Sequence, residues 1–109
     1  MRKVILCLAI AAVMSPSAFA GAPELAKSKE CLSCHSVERD TLAPSFTKIA
    51  AKYRNQSGAE NHLIETVMKG TPTVGGYHWG TMKMPSPGAR TVVSREEAQQ
   101  LVGWILSLK

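Results

Sequence analysis

The stretch "CLSCH", residues 31–35, decides what this 109-residue chain can become. It places two cysteines three positions apart and a histidine directly after the second, so all three side chains share one face of a helical turn. Two thiols and an imidazole in this spacing form the pattern associated with covalent attachment of a c-type haem. One short turn would then hold the macrocycle through two thioether bonds and bring His35 within reach of the iron.

Three other chemistries use the same cysteines and stay open on the residues alone. A thioredoxin-like redox pair also uses C-x-x-C, but it needs a βαβ context that this sequence does not show. A structural zinc site needs four ligands, and only His62 and His78 are available to complete one. A disulfide between Cys31 and Cys34 would close a very short loop and would therefore stabilise the fold little. The pattern favours haem attachment over all three.

A second stretch, "WGTMKMPSP" at residues 79–87, is predicted to supply a ligand to the other face of the iron, and we call it the methionine strap. The candidate ligands beyond His35 are Met68, Met82, Met84, His62 and His78. Met84 precedes Pro85, and a residue before proline is pushed into extended backbone, so its thioether is free to project from the strap. Met82 lacks this constraint and is interpreted as apolar padding, whereas Met68 falls on a helical stripe and is interpreted as core.

Residues 1–20 have the features of a secretory signal peptide that is removed on export. A positively charged start and an apolar run over residues 4–14 precede an A-x-A cleavage site at residues 18–20. The apolar run is too short for a membrane span, which needs roughly 20 residues. Cleavage after Ala20 would leave residues 21–109 as a single soluble domain outside the cytoplasm.

The charge balance argues against a nucleic-acid partner. The chain has 13 basic and 8 acidic residues, and loss of Arg2 and Lys3 with the signal peptide leaves 11 basic residues and a net charge of about +3. Nucleic-acid binding usually requires a much denser basic stripe. A domain this small buries a modest part of its surface, and such domains often recruit a disulfide, a metal or a cofactor.

The remaining sequence predicts an all-α domain of short helices joined by turn-rich loops. The predicted helices, in chain order, cover residues 23–35, a part of residues 41–54 with an N-cap at Ser45, a segment from a Ser57/Glu60 capping box to Gly70, and a C-terminal segment from a Ser94/Glu97 capping box onward. Residues 71–93 are rich in glycine and proline and are predicted to be loop. No stretch shows a period-2 strand pattern.

The order of these features resembles that of a small bacterial class I monohaem cytochrome c. The resemblance covers residues 22–109 and rests on "CLSCH", "LAPSFTKIAAKY", "HWGTMKMPSP" and "VSREEAQQLVGWILSLK". It implies the class I cytochrome c fold, in which four to five short helices wrap around one covalently attached haem.

The resemblance also implies a role for individual residues. Cys31 and Cys34 would form the thioethers, His35 would be the proximal ligand and Met84 the distal one. The Pro44 carbonyl would accept the other ring hydrogen of His35, and Trp79 is similar to the family tryptophan that faces a haem propionate. One departure concerns Ala26 and Lys27, which stand where the family usually has an aromatic residue that packs between the first and last helices.

The function that the resemblance implies is one-electron transfer rather than enzymatic catalysis. Histidine and methionine would fill both axial positions of the iron and leave none for a substrate. We therefore expect a soluble, monomeric carrier that docks with an electron donor and an electron acceptor. Two alternatives are a haem subunit fixed in a larger oxidoreductase and an open-haem protein with peroxidase-like or ligand-binding activity.

Overall fold

Four α-helices and one short 3₁₀ helix make up the regular structure of the described residues. The structure is a computed structural model, and it describes residues 19–72, 79 and 82–109. The elements, in chain order, are α1 (Ala22–Ser28), a 3₁₀ turn (Cys31–Ser33), α2 (Phe46–Tyr53), α3 (Ala59–Lys69) and α4 (Arg95–Ser107). The predicted all-α class is confirmed. The predicted signal peptide lies, apart from its last two residues, outside the described residues.

Two helices begin at the serine caps that the sequence predicts. Ser45 caps α2 by accepting a hydrogen bond from the Lys48 N–H at 3.2 Å. Ser94 caps α4 in a full capping box: its hydroxyl accepts from the Glu97 N–H, and the Glu97 carboxylate accepts from the Ser94 N–H at 3.0 Å. Each cap satisfies amide groups that the first turn of a helix leaves without an internal partner.

The first helix is shorter than predicted. The sequence predicts a helix over residues 23–35, whereas α1 ends at Ser28, so the prediction is wrong beyond that residue. Glu30 has a left-handed backbone with φ of 61°, which breaks the helix just before Cys31. The Glu30 carboxylate accepts a hydrogen bond from the Thr91 hydroxyl at 2.8 Å, so a contact with a distant loop accompanies this conformation. The cysteines therefore lie on a separate turn rather than on an extension of α1.

The third helix starts without the predicted Ser57/Glu60 capping box. Its N-cap is Gly58, with φ of 77°, and no side chain caps the first turn. Ser57 thus stands one residue too early in the chain to act as the cap. The predicted end at Gly70 is confirmed, with φ of 89° at that residue.

Helix α4 packs against each of the other three α-helices and carries the centre of the core. Leu101 and Val102 are almost fully buried in a cluster that includes Ala26 of α1 and Ile64 of α3. Ile105, on the same helix, belongs to a second cluster formed mainly with α2. Among residues 19–72, 79 and 82–109, every helix is too short or too polar to cross a lipid bilayer.

Ala26 stands in α1 where the resemblance leads us to expect an aromatic residue. Ala26 is completely buried and lets α1 lie close to α4. The ring of Phe19 lies against Gly103 of α4, in the space that a side chain at position 103 would occupy. Cleavage after Ala20 would remove this ring and open the surface of Gly103.

Replacement of Gly103 should therefore change stability differently in a protein that contains Phe19 and in one that lacks it. In a protein that begins at Gly21, Gly103→Ala should stabilise the fold by about 1 kcal/mol, because glycine in a helix interior is unfavourable by roughly that amount. In a protein that begins at Phe19, the new methyl group would collide with the Phe19 ring, and the gain should vanish or reverse. Urea unfolding of wild type and Gly103→Ala, each with and without Phe19, measures the change in unfolding free energy. An equal change with and without Phe19 would contradict the contact between the Phe19 ring and Gly103.

A surface network joins α3 to the start of α4. The Glu65 carboxylate pairs with Lys69 one turn later, at 2.6 Å, and with the Arg95 guanidinium. The Lys69 hydrogen bond, followed by that of Arg95, lowers the pKa of Glu65 from 4.5 to about 2. The ionised form of Glu65 is therefore preferred in the folded state.

This network predicts a specific acid dependence of stability. Because the folded pKa of Glu65 lies below its ordinary value, its ionised form stabilises the fold above pH 4.5, and this contribution is lost as the pH falls to about 2. The difference in unfolding free energy between wild type and Glu65→Gln should shrink over that interval, and high salt should reduce it at neutral pH. A difference that does not change with pH, measured by urea titration, would rule out this role of Glu65.

Candidate functional site

A cavity of about 500 Å³ lies among the helices, the "CLSCH" turn and the methionine strap. This volume falls within the range of about 300–1,000 Å³ that is usual for small-molecule and cofactor sites. Apolar side chains from α2, α3 and α4 line it, namely Ile49, Leu63, Val67, Leu101, Val102 and Ile105. The cavity therefore suits a large apolar group, with polar contacts restricted to a few positions.

The "CLSCH" turn presents its three chemical groups to this cavity. The His35 N–H donates to the Cys31 carbonyl at 2.9 Å, which closes a single helical turn, and Cys31, Cys34 and His35 all line the cavity. The two cysteines are not joined by a disulfide. Burial raises the pKa of the Cys31 thiol. The break at Glu30 thus leaves intact the one-turn geometry that the sequence predicts.

His35 is oriented by contacts with Pro44, which lies just before α2, and with Phe46, the first residue of that helix. Its Nδ1 lies 2.7 Å from the Pro44 carbonyl oxygen, and because a carbonyl only accepts, Nδ1 donates. Its ring stacks on Phe46 with the centroids 5.0 Å apart. Burial lowers the pKa of His35, and the Pro44 hydrogen bond opposes this effect. The neutral ring therefore keeps Nε2 without a proton, which is the state that binds a metal.

The methionine strap reaches the cavity through Met84, whose main chain is hydrogen-bonded to Thr71, two residues beyond the end of α3. The Thr71 N–H donates to the Met84 carbonyl at 3.0 Å, and the Met84 N–H donates to the Thr71 hydroxyl at 2.7 Å. Gly70 makes this approach possible, because a Cβ there would lie 2.8 Å from the Met84 oxygen. The position of Met84 is thus fixed through its main chain.

The other candidate ligands differ from Met84 in their surroundings. Met82 also lines the cavity, but its side chain is 45% exposed. Met68 packs against the core cluster around Leu101, which confirms its interpretation as core. His62 lies with its ring 6.0 Å from the Tyr53 ring, and it is not among the residues that line the cavity.

Two further predictions concern positions close to the strap. His78, the alternative histidine ligand, lies outside the described residues. Trp79 lines the cavity, and the ammonium group of Lys52 lies 4.5 Å from the centre of its ring. Trp79 therefore lies at the cavity wall. Its contact with a propionate remains a prediction.

Sequence reasoning missed Thr71 and Arg90. Both act on backbone groups of the methionine strap: Thr71 on Met84, and Arg90 on the carbonyl of Pro85 at 2.5 Å. Neither residue belongs to a motif, and their partners are main-chain atoms that every residue carries. Gly70 was recognisable in the sequence as the end of α3, but nothing in the sequence indicates that the methionine strap comes close to it.

The donors around the cavity fit a covalently bound haem. Two thiols and an imidazole with a free Nε2 lie on and beside one turn, and a thioether is available from a separate segment. In the described part of the chain, no three His, Cys, Asp or Glu side chains converge as a zinc site would require. The same residues contain only helices as regular structure, without the βαβ unit that a thioredoxin-like pair requires.

Comparison with known proteins gives one consistent family. The family model for cytochrome c matches residues 20–109. Cytochrome c-551 of Pseudomonas aeruginosa is 38% identical over 103 residues, which cover 94% of this chain and 91% of the relative. Cytochrome c-552 of Hydrogenobacter thermophilus is 35% identical over 86 residues, which cover 79% of this chain and 80% of the relative.

Solved structures agree with the relatives. The crystal structure of wild-type cytochrome c552 from Nitrosomonas europaea superposes with a TM-score of 0.66 at 36% sequence identity. The superposition covers 80% of this chain and 99% of the other. At this identity and coverage, the similarity extends to the sequence as well as to the fold.

The close contact at Gly70 leads to a prediction about the strap. Gly70→Ala should cost roughly 1–3 kcal/mol for the disfavoured backbone conformation alone, and it should also push Met84 and Pro85 away from α3. Gly58→Ala is the matched control, since Gly58 also has a positive φ but has open space around it. Amide hydrogen exchange at Thr71 should become faster in Gly70→Ala only. Equal exchange at Thr71 in both variants would mean that the crowding at Gly70 does not hold the strap.

Proposed function

This chain belongs to the cytochrome c family, and from that membership we propose that it is a periplasmic one-electron carrier with a single haem ligated by His35 and Met84. The family itself establishes the coarser statement. The protein is an electron-transfer protein with a covalently bound c-type haem that interacts with redox partners, and it is not an enzyme. The axial ligands, the number of haems, the location and the oligomeric state belong to the proposal.

The observation that carries the proposal is that one apolar cavity receives both Cys31 to His35 and Met84. The two segments are about 50 residues apart in the sequence, yet both are held by their own backbone contacts at the cavity wall. When bound, the haem supplies the ferric/ferrous redox couple. The protein's residues have to hold the group, supply two ligands and keep water away from it.

Cys31, Cys34 and His35 have distinct tasks in this proposal. The two thiols would each add to the macrocycle, which fixes it beside the turn. His35 would ligate through Nε2, because the Pro44 carbonyl holds the hydrogen on Nδ1 and orients the ring. The stacking of Phe46 on the imidazole restricts its rotation further. The Pro44 carbonyl thus selects the tautomer that ligates.

Met84 would supply the second axial ligand from a fixed main chain. Because Thr71 binds both the N–H and the C=O of Met84, the thioether needs only side-chain rotation to take its position. A filled second axial position is what distinguishes a carrier from an open-haem protein, since it leaves no site for oxygen or substrate. Methionine ligation also raises the reduction potential relative to other axial ligands. These properties support the carrier over the peroxidase-like alternative.

The proposed location rests on the sequence rather than on the described residues. We propose that residues 1–20 direct export and are removed, and that residues 21–109 act in the periplasm as a monomer. The apolar run and the A-x-A site support this part of the proposal. Haem attachment outside the cytoplasm is consistent with it.

The visible spectrum of the haem-loaded protein tests the ligands directly. Wild type in the ferric state should show the weak red absorption band of sulfur-ligated haem, and Met84→Ala should abolish it. Met82→Ala is the matched control, since it removes a thioether from the same strap, and it should keep the band. The reduced wild-type protein should bind added carbon monoxide slowly, because Met84 must leave first.

Each contrary result points to a different alternative. Loss of the band in Met82→Ala but not in Met84→Ala would assign the ligand to Met82. A wild-type protein without the band that binds carbon monoxide at once would favour the open-haem alternative. Recovery of the protein only as part of a larger complex would favour a fixed haem subunit over a diffusing carrier.

A further inference from the structure

Arg90 makes an unusual set of contacts for a loop arginine. Its Nε donates to the Pro85 carbonyl at 2.5 Å, its Nη2 donates to the Val67 carbonyl at 2.5 Å, and its Nη1 donates to the Thr91 carbonyl at 3.2 Å. All three acceptors are main-chain oxygens, and the first two belong to separate segments. We call the pair of bonds to Pro85 and Val67 the Arg90 bridge.

The two ends of the Arg90 bridge lie at positions that matter for the cavity. Pro85 directly follows Met84 in the methionine strap, and Val67 lies in the last turn of α3. A helix leaves its last carbonyls without internal partners, and a cation is favourable at that end. The Val67 carbonyl is available because the Thr71 N–H, which would bond to it in a longer helix, donates to Met84 instead. Arg90 therefore takes the place of the next helical amide.

Contacts with the "CLSCH" side of the cavity hold the backbone on which Arg90 stands. The Thr91 hydroxyl donates to the Glu30 carboxylate at 2.8 Å, and the Lys29 ammonium donates to the Val92 carbonyl at 3.3 Å. Lys29 and Glu30 directly precede Cys31. The segment that carries Arg90 thus connects the haem-attachment turn with the strap and the end of α3.

We propose that Arg90 is a positioning residue that keeps Met84 in place by tying the methionine strap to the C-terminal end of α3 through the Arg90 bridge. The proposal rests on the function proposed above, since it assigns a purpose to the position of Met84. It depends on the shape of the guanidinium as well as on its charge. A planar fork with five donors can reach two carbonyls at once, whereas the compact ammonium of lysine cannot span both.

Two variants separate shape from charge, and a third controls for general stability. Arg90→Lys keeps the charge and loses the fork, while Arg90→Gln loses both. Arg54→Gln is the matched control, because the Arg54 guanidinium also donates to a main-chain carbonyl, that of Leu108 at 2.7 Å, at the far end of α2. It should lower global stability without affecting the strap.

The first measurement is the affinity of the ferric, haem-loaded protein for added imidazole, which competes with Met84. Both Arg90 variants should bind imidazole roughly tenfold more tightly than wild type, since losing a charged hydrogen bond typically costs enough for a change of that order. Arg54→Gln should bind imidazole as wild type does. An increase in Arg90→Gln alone would show an effect of charge, and unchanged affinity in both Arg90 variants would show that Met84 does not depend on Arg90. Either result would overturn the proposal.

The second measurement does not depend on the iron ligand. Amide hydrogen exchange at Thr71 and Met84 should become roughly tenfold faster in both Arg90 variants and should stay unchanged in Arg54→Gln. Unchanged exchange in the Arg90 variants would overturn the bridge even if Met84 ligates the iron. Faster exchange in a protein whose wild type lacks the sulfur band would support the bridge while the proposed function fails, so the two failures are distinguishable.

Discussion

The close approach between the end of α3 and the methionine strap at Gly70 is the contact on which the position of Met84 depends. Gly70 ends the helix with a positive φ and directs the following amide, that of Thr71, to the Met84 carbonyl. The same turn leaves the Val67 carbonyl available to the Arg90 guanidinium. A single residue without a side chain therefore determines where the strap lies and which groups hold it. A larger residue would meet the Met84 and Pro85 backbone at once.

The fold class and most helix ends were predictable because their signals are local. Ser94 and Glu97 stand three residues apart and form the capping box that their spacing indicates. The Ser57/Glu60 prediction was wrong although it used the same rule, because Gly58 adopts a positive φ and becomes the cap itself. The helix predicted over residues 23–35 is also wrong beyond Ser28, close to Glu30, whose side chain binds Thr91 from a distant loop. Spacing rules thus hold until a tertiary contact or a glycine conformation overrides them.

The residues of the candidate site were likewise recognisable where their pattern is local in the sequence. Cys31, Cys34 and His35 are recognisable because their chemistry depends on spacing within one turn, and the break at Glu30 leaves that turn intact. The hydrogen bond from His35 to Pro44 came only from the family resemblance, because its acceptor is a main-chain oxygen. For the same reason no pattern points to Arg90, whose acceptors lie in two separate segments. Side-chain motifs can be found in a sequence, whereas contacts to the main chain require the fold.

The strength of these contacts explains why the strap needs more than Thr71. Ordering the backbone of one residue costs roughly 1–2 kcal/mol, whereas a neutral hydrogen bond contributes about 1 kcal/mol and one to a charged group about 1.5–3 kcal/mol. The two bonds between Thr71 and Met84 therefore offset the ordering of only one or two strap residues. The charged bond from Arg90 to the Pro85 carbonyl offsets roughly one or two more, and Pro85 is the residue next to Met84. The main chain of Met84 is thus held in position independently of its sulfur, which would lower the entropy cost of the proposed ligation.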